Sequence, residues 1–397
     1  MALCSVSCVT RYRLVPTCTQ EKILREHCRH ARFVWNLAVE QYSYWRPGRR
    51  SAPAFVEQCR QLSEARAEFS WLRAGSAVVQ QQALKDFARA MAGFFNRTHG
   101  RPTWRKAGRD EGFRIVGVKP GDVRRLSRRM GEVKVPKVGW VRFRWSRSVP
   151  DGFKSFRVTC DRSGRWHIAF AYIPSPIGAP GNGANVGVDR GVAVSAALCT
   201  GELLYAPVLS IKQAERLLRL QRRLARAQPG SKRRTRLKTR IATLQARATD
   251  RRRDWVEKTT TDLARRFDQV AIEDLNVLTM TRSARGTIDA PGSNVRQKAG
   301  LNRAIRSNVW GVLARRLEQK APERVVKVNP AYTSQRCSAC GIVDRDARES
   351  QARFRCRSCG HVGNADVNAA RNICRTAAGY CGGSTGSPPA VGRGDEP

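Results

Sequence analysis

The chain has 397 residues, enough for two or three domains, and its apolar content of 41% argues against wholesale disorder. Its 74 Lys and Arg residues against 32 Asp and Glu give a formal net charge of +42, spread along the whole sequence. Such an excess predicts a polyanionic partner, and nucleic acid is the first candidate. An anionic membrane surface is the weaker alternative, because no basic segment adjoins an apolar anchor.

The sequence predicts a cytoplasmic protein without a membrane partner. No stretch approaches the roughly 18 apolar residues of a membrane span, and the first residues, MALCSVSCVTRYRL, lack the regions of a secretory signal. Nine of the 13 cysteines lie outside the metal pattern described below and show no paired framework. An odd remainder of this kind is typical of a reducing cytosol.

The first half of the chain is predicted to be a β-rich module that carries a helical insert. Residues 5–15 alternate as a strand, and three stretches then have helical spacing: from Thr19 onward, 54–69 and 74–96. From 112 to 173 the pattern changes to short strands of period two, separated by Gly, Pro and Asp. A Pro/Gly-rich linker at 174–185 marks the main predicted domain boundary.

The second half has an α/β pattern. ANVGVDRGVAVSAALC is typical of a hairpin of buried strands, and two long helices follow, Ile211 to Ala227 and Lys232 to Phe267. Their apolar positions form one predicted stripe: Leu217, Leu218, Leu224, Leu237, Ile241, Leu244 and Leu263. The remaining faces are rich in Arg, which indicates either a solvated helical hairpin or, our preferred interpretation, a face that binds phosphates. A strand in DQVAIEDLNV, a helix at 301–320 and a strand in ERVVKVNP complete the pattern.

Four cysteines have the spacing of a structural zinc site. Cys337 and Cys340 form one CxxC pair, Cys356 and Cys359 form another, and fifteen residues separate the pairs. Gly follows the second Cys of each pair, which allows a tight turn that presents two thiolates to one tetrahedral Zn²⁺. A closed site of this kind has no open coordination position, so we expect the zinc to be structural.

Three acids lie where apolar elements would carry them inward. Asp189 interrupts the apolar run VGVDRGVAVSAAL, Glu273 ends the strand QVAIEDL, and Asp366 begins a predicted helix in GNADVNAARNI. A salt bridge to a nearby Arg explains each acid taken singly, but three in a basic chain favour shared Mg²⁺ or Mn²⁺. Two such ions about 3.5–4 Å apart activate water and stabilise the leaving oxygen of a phosphodiester. Asp274 is expected on the opposite face of its strand.

These motifs together resemble a known family. GVDRG, IEDLNV, TSQRCSACG, the second CxxCG and NADVNAARNI occur in the order found in the TnpB family of transposon-encoded, RNA-guided nucleases and in related compact type V CRISPR effectors. YRLVPTCTQ, VPKVGWVRFRW, GLNRAI and VNPAYTSQ also fit, so the resemblance covers nearly the whole chain.

The resemblance implies a multidomain α+β fold. An OB-like β-barrel wedge with a helical recognition insert is expected first, followed by an RNase H-like α/β RuvC domain with an inserted four-Cys zinc ribbon. The implied segments are a first wedge strand 1–18, the insert 19–110, the wedge barrel 111–175, a linker 176–185, the nuclease domain 186–329 with a helical hairpin 211–267, the zinc ribbon 330–362, the last nuclease segment 363–376 and a disordered tail 377–397.

The resemblance also implies the function. Asp189, Glu273 and Asp366 would occupy the three acidic positions with two Mg²⁺ or Mn²⁺ ions, beside one Zn²⁺. A guide RNA would pair with one strand of a double-stranded DNA target, and the protein would read a short flanking motif. The expected location is the prokaryotic cytosol, and monomer or homodimer stays open.

Aromatic and basic residues beside breaks in the pattern are candidates for nucleic-acid contacts. They are Tyr44, Trp45, Trp104, Arg105, Lys106 and Arg371. Near Asp366, Asn368 and Arg371 are candidates for scissile-phosphate contact, whereas helix capping by Asn364 is the competing explanation for that residue.

Two rival functions stay open from the sequence. An RNA-guided DNA binder would block transcription without cutting, but its relatives are expected to lose acids of the triad, and none is missing here. A transposase would join DNA ends directly. The chain has no tyrosine or serine recombinase signature, but a site of three acids could in principle join ends.

Overall fold

A computed structural model describes residues 8–44, 52–109, 111–119, 121–172 and 174–381. The chain divides into two compact units. The first unit comprises the described residues up to Pro174 together with Gln213–Ala246, and the second comprises Ser175–Lys212 and the described residues from Arg247. The first division falls at the start of the predicted linker, and the predicted helical hairpin 211–267 is shared between the units.

The first unit is built on a seven-stranded antiparallel sheet. Its strands are β1 (Cys8–Val15), β2 (Glu111–Val116), β3 (Val123–Arg125), β4 (Met130–Val135), β5 (Gly139–Arg144), β6 (Ser155–Cys160) and β7 (Trp166–Tyr172). They are ordered β2-β6-β7-β1-β5-β4-β3, and β1 links the two halves because it pairs with both β7 and β5. The predicted short strands are thereby confirmed. In the described residues β2 and β3 are the ends of the sheet, so the closed barrel stays a prediction.

Four helices complete the core of the first unit: α1 (Cys18–Ser43), α2 (Phe55–Glu68), α3 (Ser70–Ala74) and α4 (Ala77–Phe95). A capping box begins α1, in which the Thr17 side chain accepts from the Gln20 backbone and the Gln20 side chain accepts from the Thr17 backbone. The single helix predicted at 74–96 is wrong at its start. The helical segment is interrupted at Gly75, between α3 and α4. A Cβ atom at this position would lie 2.1 Å from Nδ1 of His30.

Two long helices, α5 (Ile211–Ala225) and α6 (Lys232–Arg266), form the predicted helical hairpin. The predicted stripe needs two corrections. Leu220 is buried between the helices and Leu218 is 47% exposed, because Leu217, Leu220 and Leu224 share one face. Leu263 packs in the core of the second unit instead, near the end of a helix that is about 50 Å long.

The second unit contains a five-stranded mixed sheet with the order β10-β9-β8-β11-β12. Its strands are β8 (Asn185–Asp189), β9 (Ala196–Leu198), β10 (Leu203–Leu204), β11 (Gln269–Glu273) and β12 (Val325–Val328). Strands β8, β11 and β12 are parallel to one another, whereas β9 and β10 form an antiparallel hairpin at one edge of the sheet. Val186, Val188, Val270 and Ile272 are fully buried, as the apolar runs predict.

The helices of the second unit differ from the predicted pattern in two places. They are α7 (Val277–Met280), α8 (Val295–Ser307), α9 (Trp310–Lys320) and α10 (Ala365–Cys381). The helix predicted at 301–320 is two helices, separated by Val309 with a φ of 52°. The predicted disordered tail is wrong at its start, because α10 continues through Ala377, which is buried against the sheet. Residues 382–397 of that tail lie outside the described residues.

Helix α10 lies directly on β8. A Cβ atom at Gly187 would come within 2.1 Å of the Ala370 carbonyl oxygen, so only glycine permits this approach. None of the helices in the described residues is long and apolar enough to cross a membrane.

Candidate active site and zinc centre

The three predicted acids meet at one edge of the second unit's sheet. Asp189 and Glu273 end the adjacent parallel strands β8 and β11, and the pairing of Val188 with Ile272 places these two acids side by side. Asp366 lies in the first turn of α10, which packs on β8. Carboxyl ends of parallel strands are a common place for functional groups in α/β sheets.

The pKa of Asp189 responds to the charges of the other two acids. Burial and then the negative charges of Glu273 and Asp366 raise the pKa of Asp189 to about 7. Burial also raises the pKa of Glu273, although the Thr333 hydroxyl, which donates to Oε1 at 2.6 Å, and the Arg190 charge oppose that shift. Such a concentration of buried negative charge is costly without cations.

Two arginines lie among these acids. Arg348 donates through Nη2 to Oδ1 of Asp366 at 2.7 Å, and its charge also lowers the pKa of Asp189. Arg190 is buried, and its guanidinium donates to the backbone carbonyl of Glu273. The sequence analysis missed both arginines and Thr333. Arg190 directly follows Asp189 in GVDRG, but no local pattern marks Arg348 or Thr333.

The spacing of the acids bears on how many cations they could hold. In the described part of the chain, four cysteines are the only group of potential ligands whose atoms all lie within 4.8 Å of one another. The three carboxylates are therefore spread more widely than this. As placed, these carboxylates do not surround one common ion position, and their sharing between two cations stays a prediction. Asp274 is exposed and faces Lys327 at 4.0 Å, as expected for the opposite face.

The four predicted zinc ligands come together as a closed thiolate cluster. Sγ of Cys337 lies 3.7 Å from Sγ of Cys359, and Sγ of Cys340 lies 3.6 Å from Sγ of Cys356. A tetrahedron with Zn–S bonds of about 2.3 Å has edges of about 3.8 Å, so the cluster fits one Zn²⁺. The glycines after each pair, Gly341 and Gly360, have φ of 81° and 72°, the left-handed conformation that a tight turn requires.

Polar side chains of α10 bind the backbone around the first cysteine pair. The Asn368 amide accepts from Ser338 N and donates to Arg336 O, both at 2.8 Å. Asn372 donates to Thr333 O and Arg336 O at 2.9 and 2.6 Å. These hydrogen bonds therefore link α10, which carries Asp366, to the segment of the first cysteine pair and to Thr333, the hydrogen-bond partner of Glu273.

These contacts decide the roles that the sequence left open beside Asp366. Asn364 caps α10, because its Oδ1 accepts from the backbone N–H groups of Asp366 and Val367. The alternative that Asn368 contacts phosphate is wrong, since this side chain is buried and both ends of its amide are occupied. Arg371 is exposed, and its suggested nucleic-acid contact stays a prediction.

The other predicted nucleic-acid contacts lie in the first half of the chain. Tyr44, Trp104 and Lys106 are exposed, and Trp45 lies outside the described residues. The Arg105 guanidinium lies 3.6 Å from the centre of the Trp35 ring, and burial lowers its pKa to about 10. Arg105 is therefore largely engaged in packing, whereas Tyr44, Trp104 and Lys106 are open to solvent.

Three family models match the chain. They are the Cas12f1-like TNB domain at residues 310–373, the probable transposase OrfB of the IS605 type at residues 172–284, and a helix-turn-helix domain at residues 6–49. In the described part of that last range the chain forms β1 and the single helix α1.

Two curated relatives match over nearly their full length. A putative RNA-guided DNA endonuclease InsQ of Escherichia coli K12 is 36% identical over 91% of this chain and 90% of its own. A putative RNA-guided DNA endonuclease of Streptomyces pristinaespiralis is 30% identical over 94% and 90%. These similarities define the class, that of RNA-guided nucleases and their relatives. The chain belongs to the TnpB family, which is related to the compact type V CRISPR effectors.

The fold also resembles a solved structure. A cryo-EM structure of a Cas12f1–sgRNA–target DNA complex matches with a TM-score of 0.53 at 14% identity, over 90% of this chain and 83% of that one. The expected mixed α+β, Cas12-like fold with a four-Cys cluster is thereby confirmed.

Proposed function

We propose that this protein is an RNA-guided DNA endonuclease that cuts its target at one site formed by Asp189, Glu273 and Asp366. The observation that supports this most directly is the convergence of these three acids at the ends of β8, β11 and the start of α10. The near-full-length relatives named as putative RNA-guided DNA endonucleases support the substrate class. The charge of +42 agrees with a guide RNA and a double-stranded DNA target as partners.

The three carboxylates would hold two Mg²⁺ ions, or Mn²⁺. When bound, such ions supply the positive charge that activates water and stabilises the leaving oxygen of a phosphodiester. The protein's own contribution is positioning. The Thr333 hydroxyl fixes one carboxylate oxygen of Glu273, and the Asn364 cap sets the first turn that presents Asp366. Arg348 holds the other side of the Asp366 carboxylate and would lie beside a phosphate at this edge.

The proposed domains follow from this function. The second unit would be the RNase H-like RuvC domain, which its three parallel strands with an antiparallel hairpin at one edge support. The sheet of the first unit would be the OB-like wedge, with α1–α4 as the recognition insert. The ribbon with its single Zn²⁺ would brace the segment that delivers Asp366.

Exposed basic and aromatic side chains would hold the nucleic acid. The α5–α6 hairpin carries exposed basic residues on its outer faces, including Arg219, Arg223, Arg236 and Arg240, and Glu215 is the only acid in the part of it that belongs to the first unit. A face of this charge suits phosphates. The aromatic and basic residues predicted from the sequence, Tyr44, Trp45, Trp104, Lys106 and Arg371, would add contacts, with Arg105 in a supporting position.

The decisive experiment compares Asp189→Ala with wild-type protein carrying the RNA that co-purifies with it. We expect cleavage of a matched DNA target in Mg²⁺ to fall by at least a thousandfold, with RNA and target binding nearly unchanged. Asp274→Ala, which removes an exposed acid directly after Glu273, is the matched control and should cut normally. Wild-type cleavage by the Asp189→Ala protein would disprove the site.

The same assay separates the rival functions. A guided binder would retain the target without cutting it, and a transposase would join DNA ends instead of hydrolysing them. Recovery of one defined, abundant small RNA with the protein supports guidance, whereas recovery of bulk RNA alone contradicts it.

A further inference from the structure

Two cysteines outside the zinc cluster lie against the same glycine of β8. Gly187 donates its backbone N–H to Sγ of Cys199 at 3.3 Å. A Cβ atom at Gly187 would lie 2.9 Å from Cβ of Cys374, which belongs to α10. The two thiols are near enough for each to shift the pKa of the other, and both side chains are half-buried rather than sealed in the core. This pair is therefore close and open to small solutes.

The surroundings favour a thiolate on one member of the pair. The hydrogen bond from Cys374, the Gly187 N–H and the Arg371 charge lower the pKa of Cys199 to about 6, against the effect of burial. The same hydrogen bond raises the pKa of Cys374, which keeps its proton and donates it. This arrangement of an attacking thiolate beside a second thiol is typical of oxidant-sensitive cysteines.

We propose that Cys199 and Cys374 form a reversible disulfide when the protein meets a peroxide. The bond would join the end of β9 to α10, the helix that carries Asp366. This modification site is independent of the zinc cluster and of the proposed nuclease activity.

The reaction proceeds in two steps. The Cys199 thiolate attacks one peroxide oxygen, so an S–O bond forms, the O–O bond breaks, and the departing hydroxide takes a proton to become water. The Cys374 sulfur then attacks the resulting sulfenic acid, an S–S bond forms, and the S–O bond breaks. The hydroxyl group released from the sulfenic acid combines with the Cys374 proton to form a second water. The peroxide is reduced to two waters, and two thiols are oxidised to one disulfide.

Both cysteines contact the same residue, Gly187, so the bond would join side chains that are already neighbours. A disulfide needs its Cβ atoms about 3.5–4.5 Å apart. The bond would close a loop of about 175 residues, which restricts the unfolded chain strongly.

The primary test treats the zinc-loaded protein with a few equivalents of hydrogen peroxide, blocks the remaining thiols and identifies linked peptides by mass spectrometry. We expect a Cys199–Cys374 linkage that a dithiol reductant reverses, with no zinc appearing in a chromophoric chelator assay of the same sample. The oxidised protein should also unfold several degrees higher than the reduced protein.

The controls use both variants and wild type. Cys374→Ser should lose the linkage and the gain in unfolding temperature, and Cys59→Ser, which removes another half-buried thiol, should keep both. In wild-type protein at pH 7, Cys199 should react with iodoacetamide at least about tenfold faster than Cys59, a measurement that needs no variant to fold. Linkage of Cys199 to a zinc ligand, its accumulation as sulfinic acid, or equal alkylation rates would overturn the proposal.

Discussion

Replacement of Asp189 by Asn should stabilise the protein when no divalent cation is present. The carboxyl of Asp189 has a pKa raised to about 7 by burial and by its neighbours Glu273 and Asp366. In the unfolded chain its pKa is about 4. The folded state therefore binds this proton more tightly, so the free energy of unfolding falls as the pH rises from about 4 to about 7. At pH 8 the whole penalty is present.

The magnitude follows from the difference in pKa. A shift of about 3 units corresponds to about 4 kcal/mol, because each unit is worth about 1.4 kcal/mol. An Asn amide in the same place has no charge but leaves polar atoms partly unsatisfied, which costs about 1 kcal/mol. We expect Asp189→Asn to gain roughly 2–3 kcal/mol at pH 8. In a unit of this size that raises the unfolding midpoint by roughly 4–12 °C.

The assay is thermal unfolding by calorimetry in magnesium-free buffer without a chelator, so that the zinc cluster stays intact. At pH 8 the variant should unfold at a higher temperature than wild type, and at pH 4.5 the difference should shrink. Added Mg²⁺ should stabilise wild type by about 2.7 kcal/mol at a hundred times the dissociation constant, and the variant by much less. Asp274→Asn, at an exposed position, should change neither midpoint.

Equal midpoints for wild type and Asp189→Asn at pH 8, together with equal responses to Mg²⁺, would refute the reasoning. Such results would mean that the charges of the three carboxylates do not interact. The proposed cation site would then be disproved as well.

Three further predictions concern the groups around the acids. Thr333→Val removes the 2.6 Å hydrogen bond that lowers the pKa of Glu273, so the acid side of the cleavage pH profile should move to higher pH. Thr333→Ser, which keeps the hydroxyl, should restore the wild-type profile. Arg348→Gln removes the positive charge beside Asp366, which would compete with Mg²⁺ for that carboxylate. The Mg²⁺ concentration for half-maximal thermal stabilisation should therefore fall several-fold. An unchanged value would contradict this competition. Asn368→Ala removes two hydrogen bonds between α10 and the zinc ribbon. It should lower the cleavage rate at least tenfold while the zinc content stays at one ion per chain. Normal cleavage would show that the ribbon does not position Asp366.

The residues of the proposed active site and of the cysteine cluster were largely visible in the sequence. A carboxylate inside an apolar strand and a CxxC pair before glycine are local signals, because burial and tight turns restrict which residues can stand there. The sequence therefore marked Asp189, Glu273 and the four cysteines, and the order of the motifs indicated the family.

The partners of those residues depend on long-range packing. Arg348 and Thr333 belong to a segment far along the chain from Asp189 and Glu273, and only the docking of α10 on β8 brings them together. No periodicity encodes such contacts. The same docking explains the role of Asn368, which the sequence offered only as a candidate for phosphate contact.

The sequence by itself determined the groups available to this protein: a strong positive charge, three acids on apolar elements and four cysteines in two CxxC pairs. These are properties of composition and short-range spacing. Only the tertiary structure decided that α10 lies on Gly187, that the ribbon braces this helix, and that Cys199 meets Cys374. Side chains distant in sequence become neighbours only when the sheet and helix pack, since their contact depends on three-dimensional shape rather than on any repeating pattern.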